Sequence, residues 1–197
     1  MILSDAAIAE AITRGSIKVD PYEPRHLNPA SLDLTLGSGL AVYDPWVWQR
    51  SSESIPEDGG RFKPADATVS VRDPLVTTNY TMSVDRGWVL VPGVLYLMHT
   101  AERIGTKDYV PVLDGKSSIA RLGVQVHLTA GFGDPGWEGQ FTLEVMSAHP
   151  VRVFPGMRIC QIRFHRIEGE VAKLYDGNYT GTYASGAQPS RVRNQLR

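Results

Sequence analysis

The sequence predicts a mainly β protein, a sandwich or barrel of short strands with a few short helices. Three observations carry this expectation. Seven short apolar or alternating runs follow one another closely from Trp88 onward. Turn signals separate them, among them Pro92-Gly93, Asp134-Pro135-Gly136 and Pro155-Gly156. Helical spacing is confined to two brief stretches.

Taken in order, the first element is a helix over Ser4 to Ile12, which Ser4 can cap and Gly15 would stop. Leu32 to Leu36 alternates as Leu-Asp-Leu-Thr-Leu, the mark of a half-buried strand. Between about Trp46 and Asp73, Ser, Pro, Asp and Gly with weak periodicity read as a long surface excursion. The strands then expected are Trp88 to Leu90, Val94 to His99, Tyr109 to Leu113, Val124 to Leu128, Gln140 to Met146, Val151 to Phe154 and Ile159 to His165. A short helix interrupts them around Ser117 to Leu122. The tail from 176 to 197, with Gly177, Gly181 and Gly186, reads as mobile, and the whole of 1–197 reads as one domain.

Charge excludes some functions. Twenty basic and 21 acidic residues leave a net charge of -1, so nothing global favours duplex nucleic acid. No apolar run approaches the roughly 20 residues that span a bilayer, and Met1 to Glu10 lacks the layout of a signal peptide. With one cysteine, Cys160, a disulfide framework is excluded, and a reducing cytoplasm is expected.

Several chemistries are closed as well. The five histidines, His26, His99, His127, His149 and His165, never pair at metal-ligand spacing. One cysteine cannot supply the Pro-Cys-x-x-Cys element of the zinc nucleobase deaminases. There is neither a Gly-x4-Gly-Lys-Ser phosphate loop nor a Gly-x-Ser-x-Gly elbow.

What remains is one dense stretch: Asp114-Gly115-Lys116-Ser117-Ser118-Ile119-Ala120-Arg121-Leu122-Gly123, then Thr129-Ala130-Gly131-Phe132-Gly133-Asp134-Pro135-Gly136-Trp137, then Thr142-Leu143-Glu144. Gly115 and the two serines can open a short helix whose N–H groups, with Lys116, would meet phosphate oxygens. On spacing alone, Lys116 and Arg121 read equally as solvated cations of a surface helix. Asp134 reads as the first residue of a turn, and Glu144 as a solvent-facing carboxylate opposite Phe141, Leu143 and Val145.

These motifs, with Ile2-Leu3-Ser4-Asp5, Pro29-Ala30-Ser31-Leu32-Asp33-Leu34, Val91-Pro92-Gly93, Pro155-Gly156-Met157-Arg158-Ile159-Cys160-Gln161 and Pro189-Ser190-Arg191, resemble the dCTP deaminase branch of the dUTPase superfamily over most of the chain. The resemblance implies a distorted β barrel of jelly-roll character, assembled as a homotrimer with sites between subunits. It implies dCTP and dUTP as ligands, Mg²⁺ held through the triphosphate rather than by a protein metal site, and no zinc. Glu144 would carry the proton from water to the ring, with Ser117, Arg121, Asp134 and the backbone at Ala130 completing the catalytic set. Nucleotide-binding positions would be Lys116, Ser117, Ser118, Arg121, Asp134, Thr142, Leu143, Glu144, Gln161, Tyr175 and Tyr183.

The same resemblance bears on the product. Members that only deaminate usually carry His-Arg after Thr-Ala, whereas members that also hydrolyse dUTP carry Gly and an aromatic; this chain has Gly131-Phe132. The implied product is dUMP, with Asp134 or Glu144 orienting the second water, and with release of dUTP or loss of deamination as the alternatives. Two departures stand out. Thr182-Tyr183-Ala184-Ser185-Gly186 keeps only the Tyr of the usual Lys-Tyr-x-x-Gln clamp, leaving Arg191 or Arg193 as candidates for the missing cation. Gly133 replaces a common Ile and is expected to loosen the turn before Asp134.

Overall fold

Ser4 has extended backbone and accepts a 3.4 Å hydrogen bond from Ala7 N, so it caps helix α1, Asp5–Thr13. Gly15, at φ +79°, turns the chain out of the helix, and Ile8 and Ala11 pack into the core. The computed structural model describes residues 1–43 and 77–175. The expected excursion from Trp46 to Asp73 and the expected mobile tail lie outside the described residues.

Twelve strands are described: β1 (Ile17–Asp20), β2 (Leu27–Asn28), β3 (Ser31–Thr35), β4 (Gly39–Tyr43), β5 (Thr77–Thr81), β6 (Trp88–Leu90), β7 (Tyr96–Thr106), β8 (Tyr109–Gly115), β9 (Val124–Gln125), β10 (Glu138–Ser147), β11 (Val151–Val153) and β12 (Arg158–Arg166). Every pairing among them is antiparallel. One sheet runs β5-β4-β7-β10-β9, with β1 also on β7; a second runs β2-β3-β12-β8; β11 and β6 form a third. The mainly β class expected from the sequence is therefore the class observed, and the described strand order does not close into one continuous barrel. Among the described residues no helix is long and apolar enough to cross a membrane.

Inward residues of the first two sheets form the core, with Leu32, Leu34, Met98, Ile104, Leu143, Ile162 and Phe164 all essentially inaccessible. One polar link crosses it. Glu102, buried on β7, accepts from Thr35 N at 2.9 Å and from Thr35 Oγ1 at 2.7 Å on β3. It sits in an irregularity of the β7–β10 pairing, where Thr100 Oγ1 accepts from Phe141 N and donates to Glu102 O.

Three expectations change. The run from Val94 to His99 is only the first half of β7, which continues to Thr106. The run from Val124 to Leu128 pairs only at Val124–Gln125. The second helix (α2) is a single turn, Ser117–Ala120, rather than extending to Leu122.

Candidate active site

Strand β8 ends at Gly115, and Lys116 takes the N-cap position of α2 without a side-chain cap. Ser117 and Ser118 occupy the first two helical positions and are exposed, while Ile119 anchors the turn in the core. Arg121, the exposed C-cap residue, has no side-chain partner among the described residues.

Lys116 is not a free cation. Its Nζ lies 2.7 Å from Asp33 Oδ2, and Asp33 is fully buried. The other Asp33 oxygen accepts from Asn28 Nδ2 at 2.9 Å, and Arg158 adds a contact to Oδ2 at 3.2 Å. Gln161 faces Asp33 across the β12–β3 pair; its Nε2 donates to Gly115 O at 3.0 Å and its Oε1 accepts from Ser31 Oγ at 3.1 Å. A cavity of about 190 Å³ opens beside it, lined in part by Ser31, Asp114 and Arg163.

Residues Gly131 to Gly133 lie along β8. Leu113 N donates to Gly131 O, Gly133 N donates to Pro111 O, and Phe132 bridges Val112 with its ring exposed. Gly131 has no positive φ; what it needs is space, since a β-carbon would sit 2.4 Å from Leu113 O and 3.2 Å from the His127 ring. Gly133 does not loosen the turn. A β-carbon on Gly133 would meet Pro111 Cγ at 2.8 Å and Phe141 Cζ at 3.2 Å, and the Phe141 ring itself packs at a tilt of 60° against Trp137, with 4.6 Å between ring centres. Asp134 is exposed and opens the expected turn, closed by Trp137 N to Asp134 O at 3.1 Å. Tyr175 lies against that turn, donating its N–H to Pro135 O at 2.8 Å.

On β10 the alternation holds: Leu143 is core, while Thr142 and Glu144 point to the other face. Only the backbone of Leu143 is therefore available to a ligand. Glu144 does not face open solvent. It is half-buried, and its Oε2 is buried with no hydrogen-bond partner among the described residues. Burial raises its pKa above the ordinary 4.5, offset in part by a backbone hydrogen bond from Leu128 and the charge of His127. His127 Nδ1 is also buried without a partner among the described residues.

The described chain thus brings Lys116 and Gln161 to one cluster, beside Ser117 and Ser118, and places Glu144 beside His127 and Leu128. No hydrogen bond or ion pair among the described residues joins Ser117 or Arg121 to Glu144. Tyr183, Arg191 and Arg193 lie outside the described residues. Asp33, Arg158 and His127 were not singled out by sequence as site residues. A charged residue inside the apolar run Leu32-Asp33-Leu34 is the one local signal that pointed to the first. Among the described residues no three His, Cys, Asp or Glu are grouped to hold a metal.

A carboxyl whose pKa is raised by burial on a rigid strand, and a separate cluster of fixed cations beside two exposed serines, are the parts that acid–base chemistry on a phosphorylated molecule requires. Residues 2–167 match the dCTP deaminase-like family, and the chain belongs to it. It is 38% identical over 190 residues to a dUMP-forming dCTP deaminase of Leptospira biflexa, covering 96% of this chain and 95% of that protein. To the dUMP-forming dCTP deaminase of Cytophaga hutchinsonii it is 40% identical, with the same coverage. The crystal structure of 2'-deoxycytidine 5'-triphosphate deaminase from Agrobacterium tumefaciens matches with a TM-score of 0.58 at 26% identity, over 83% of this chain. The matched part is 47% of that longer chain.

Proposed function

We propose that this protein converts dCTP to dUMP by deaminating the cytosine ring and then hydrolysing the triphosphate in the same pocket. The observation that carries this reading is the Glu144 carboxyl, half-buried, shifted toward its protonated form and with one oxygen unpartnered among the described residues. Glu144 takes a proton from water as the water oxygen bonds to C4, and delivers it to N3 of the ring. The same carboxyl moves a proton from the new hydroxyl to the amine, the C4–N bond breaks, and ammonia leaves with dUTP as product. In the second step a water oxygen bonds to the α phosphorus and the bond to the bridging oxygen breaks, giving dUMP and diphosphate. Asp134 or Glu144 orients that water.

Ser117 and Arg121 stabilise the tetrahedral intermediate from a neighbouring subunit of a homotrimer with sites between subunits, the assembly that the family resemblance implies. Mg²⁺ enters as part of the substrate, bound to the phosphates: the one buried carboxylate of the cation cluster, Asp33, is already engaged by Asn28, Lys116 and Arg158. The cytoplasm is the compartment we assign, which suits a single buried thiol.

Incubation with dCTP and Mg²⁺, with dCTP, dUTP and dUMP resolved by chromatography, tests this. The expected product is dUMP with little dUTP at any time. Quantitative dUTP would leave a simple deaminase, and absence of turnover would refute the reading. Mixing Glu144→Gln chains with Ser117→Ala chains should restore activity that neither has alone, as a shared site requires.

A further inference from the structure

Lys116 and Arg158 converge on the same oxygen of Asp33, at 2.7 and 3.2 Å. We propose that Arg158 is a triphosphate-binding residue, the second cation of a pair that buried Asp33 holds against the phosphate chain; this rests on the nucleotide reading above. No motif of the site assigns Arg158 such a role.

Position comes first. Arg158 begins β12, three residues before Gln161, which faces Asp33 in register and grips the carbonyl of Gly115, the residue before Lys116. Of the positions that the family resemblance ties to the triphosphate, Lys116 and Gln161 therefore adjoin one carboxylate, Ser117 and Ser118 follow Lys116 directly in the chain, and Arg158 is bonded to that carboxylate.

Charge follows. Asp33 cancels one of the two cations, so the cluster keeps a net positive charge on its solvent side. The side chain of Lys116 is 22% exposed and that of Arg158 is 51% exposed, so Arg158 is the more open of the two. Only one of its guanidinium nitrogens, NH1, is engaged among the described residues. The remaining donors form a planar fork that matches two oxygens of a phosphate. Because the Asp33 contact already restricts the long side chain, less rotamer freedom is lost on binding.

Arg158 would also supply the positive charge that Thr182 withholds, since the family clamp carries Lys at that position.

The test measures dissociation constants for dCTP, dCDP and dCMP by calorimetry in a Glu144→Gln parent, which cannot turn dCTP over, and in the same parent with Arg158→Gln. The ratio of the dCMP to the dCTP constant should fall at least tenfold in the double variant, with dCMP binding unchanged. An unchanged ratio, or an equal loss for dCMP, overturns the inference. A parent that binds no deoxycytidine nucleotide would refute the nucleotide reading itself, a distinguishable outcome. If the double variant does not fold, phenylglyoxal labelling of the parent serves: dCTP should slow modification of Arg158 at least tenfold where dCMP does not, and equal labelling with and without dCTP overturns the inference.

Discussion

The carbonyl oxygen of Leu113 lies 2.4 Å from the place a β-carbon on Gly131 would take, while Leu113 N donates to Gly131 O at 2.7 Å. Strand β8 thus sets the volume allowed at the residue that the family resemblance ties to the choice of product. Gly131→His cannot keep this backbone, and its β-carbon would also crowd the His127 ring at 3.2 Å. Hydrolysis of dUTP should fall at least tenfold more than deamination, read as dUTP accumulating from dCTP. Parallel loss of both activities would show that Gly131 merely supports the fold.

Glu144→Gln should reduce deamination at least a thousandfold while nucleotide binding stays within about tenfold, since the amide keeps the shape but cannot take the proton. The raised pKa adds a stability signature. Folding favours the protonated carboxyl, so its ionisation costs stability as pH rises through the window above the ordinary 4.5. Gln carries no such cost. The variant should melt higher than the parent at pH 8, with the gain vanishing as the pH falls to the ordinary 4.5. Equal melting at both values would contradict the burial of this carboxyl.

Replacing His127 by Asn removes a charge that holds the Glu144 pKa down. The Glu144 pKa should then rise further. Because the base form is needed for attack, the acid limb of the kcat/KM profile should move to higher pH. An unmoved limb would show that His127 does not act on Glu144.

Gly133→Ile tests the packing of the neighbouring residue. Its side chain would press on Pro111 and Phe141, and the expected cost is about 1–3 kcal/mol of stability, measured by denaturant unfolding. A neutral or stabilising effect would mean that β8 and Phe141 yield easily.

Much of this was legible before the structure. Alternation around Glu144 placed Phe141, Leu143 and Val145 on the core face, and the cap at Ser4 and turn at Asp134 followed from residue type. What alternation cannot say is that a strand's outer face is covered; Glu144 is half-buried because the segment from His127 to Leu128 lies over it, a contact between distant parts of the chain. In the sequence β7 shows only its first half, because the irregularity at Thr100 to Glu102 breaks the period and puts a carboxylate indoors. Strands β1, β4 and β5 are four or five residues long and owe their existence to partners rather than to their own pattern.

Lys116 and Gly133 show the same limit from the side of individual residues. A lysine after glycine reads as a phosphate hook, and nothing local reveals that Asp33, 83 residues earlier, already holds it. A glycine in place of a larger residue reads as slack, although the missing side chain is replaced by Pro111 and by the ring of Phe141.

Cys160, on the strand that carries Arg158 and Gln161, is wholly inaccessible, and burial together with the nearby Glu102 and Asp33 carboxylates pushes its thiol far from ionisation. The native chain should ignore iodoacetamide, so each alkylation event marks an excursion that lifts β12 out of its sheet. A single atom thereby serves as a clock for the opening of the cation cluster, and added dCTP, if it binds there, should slow that clock.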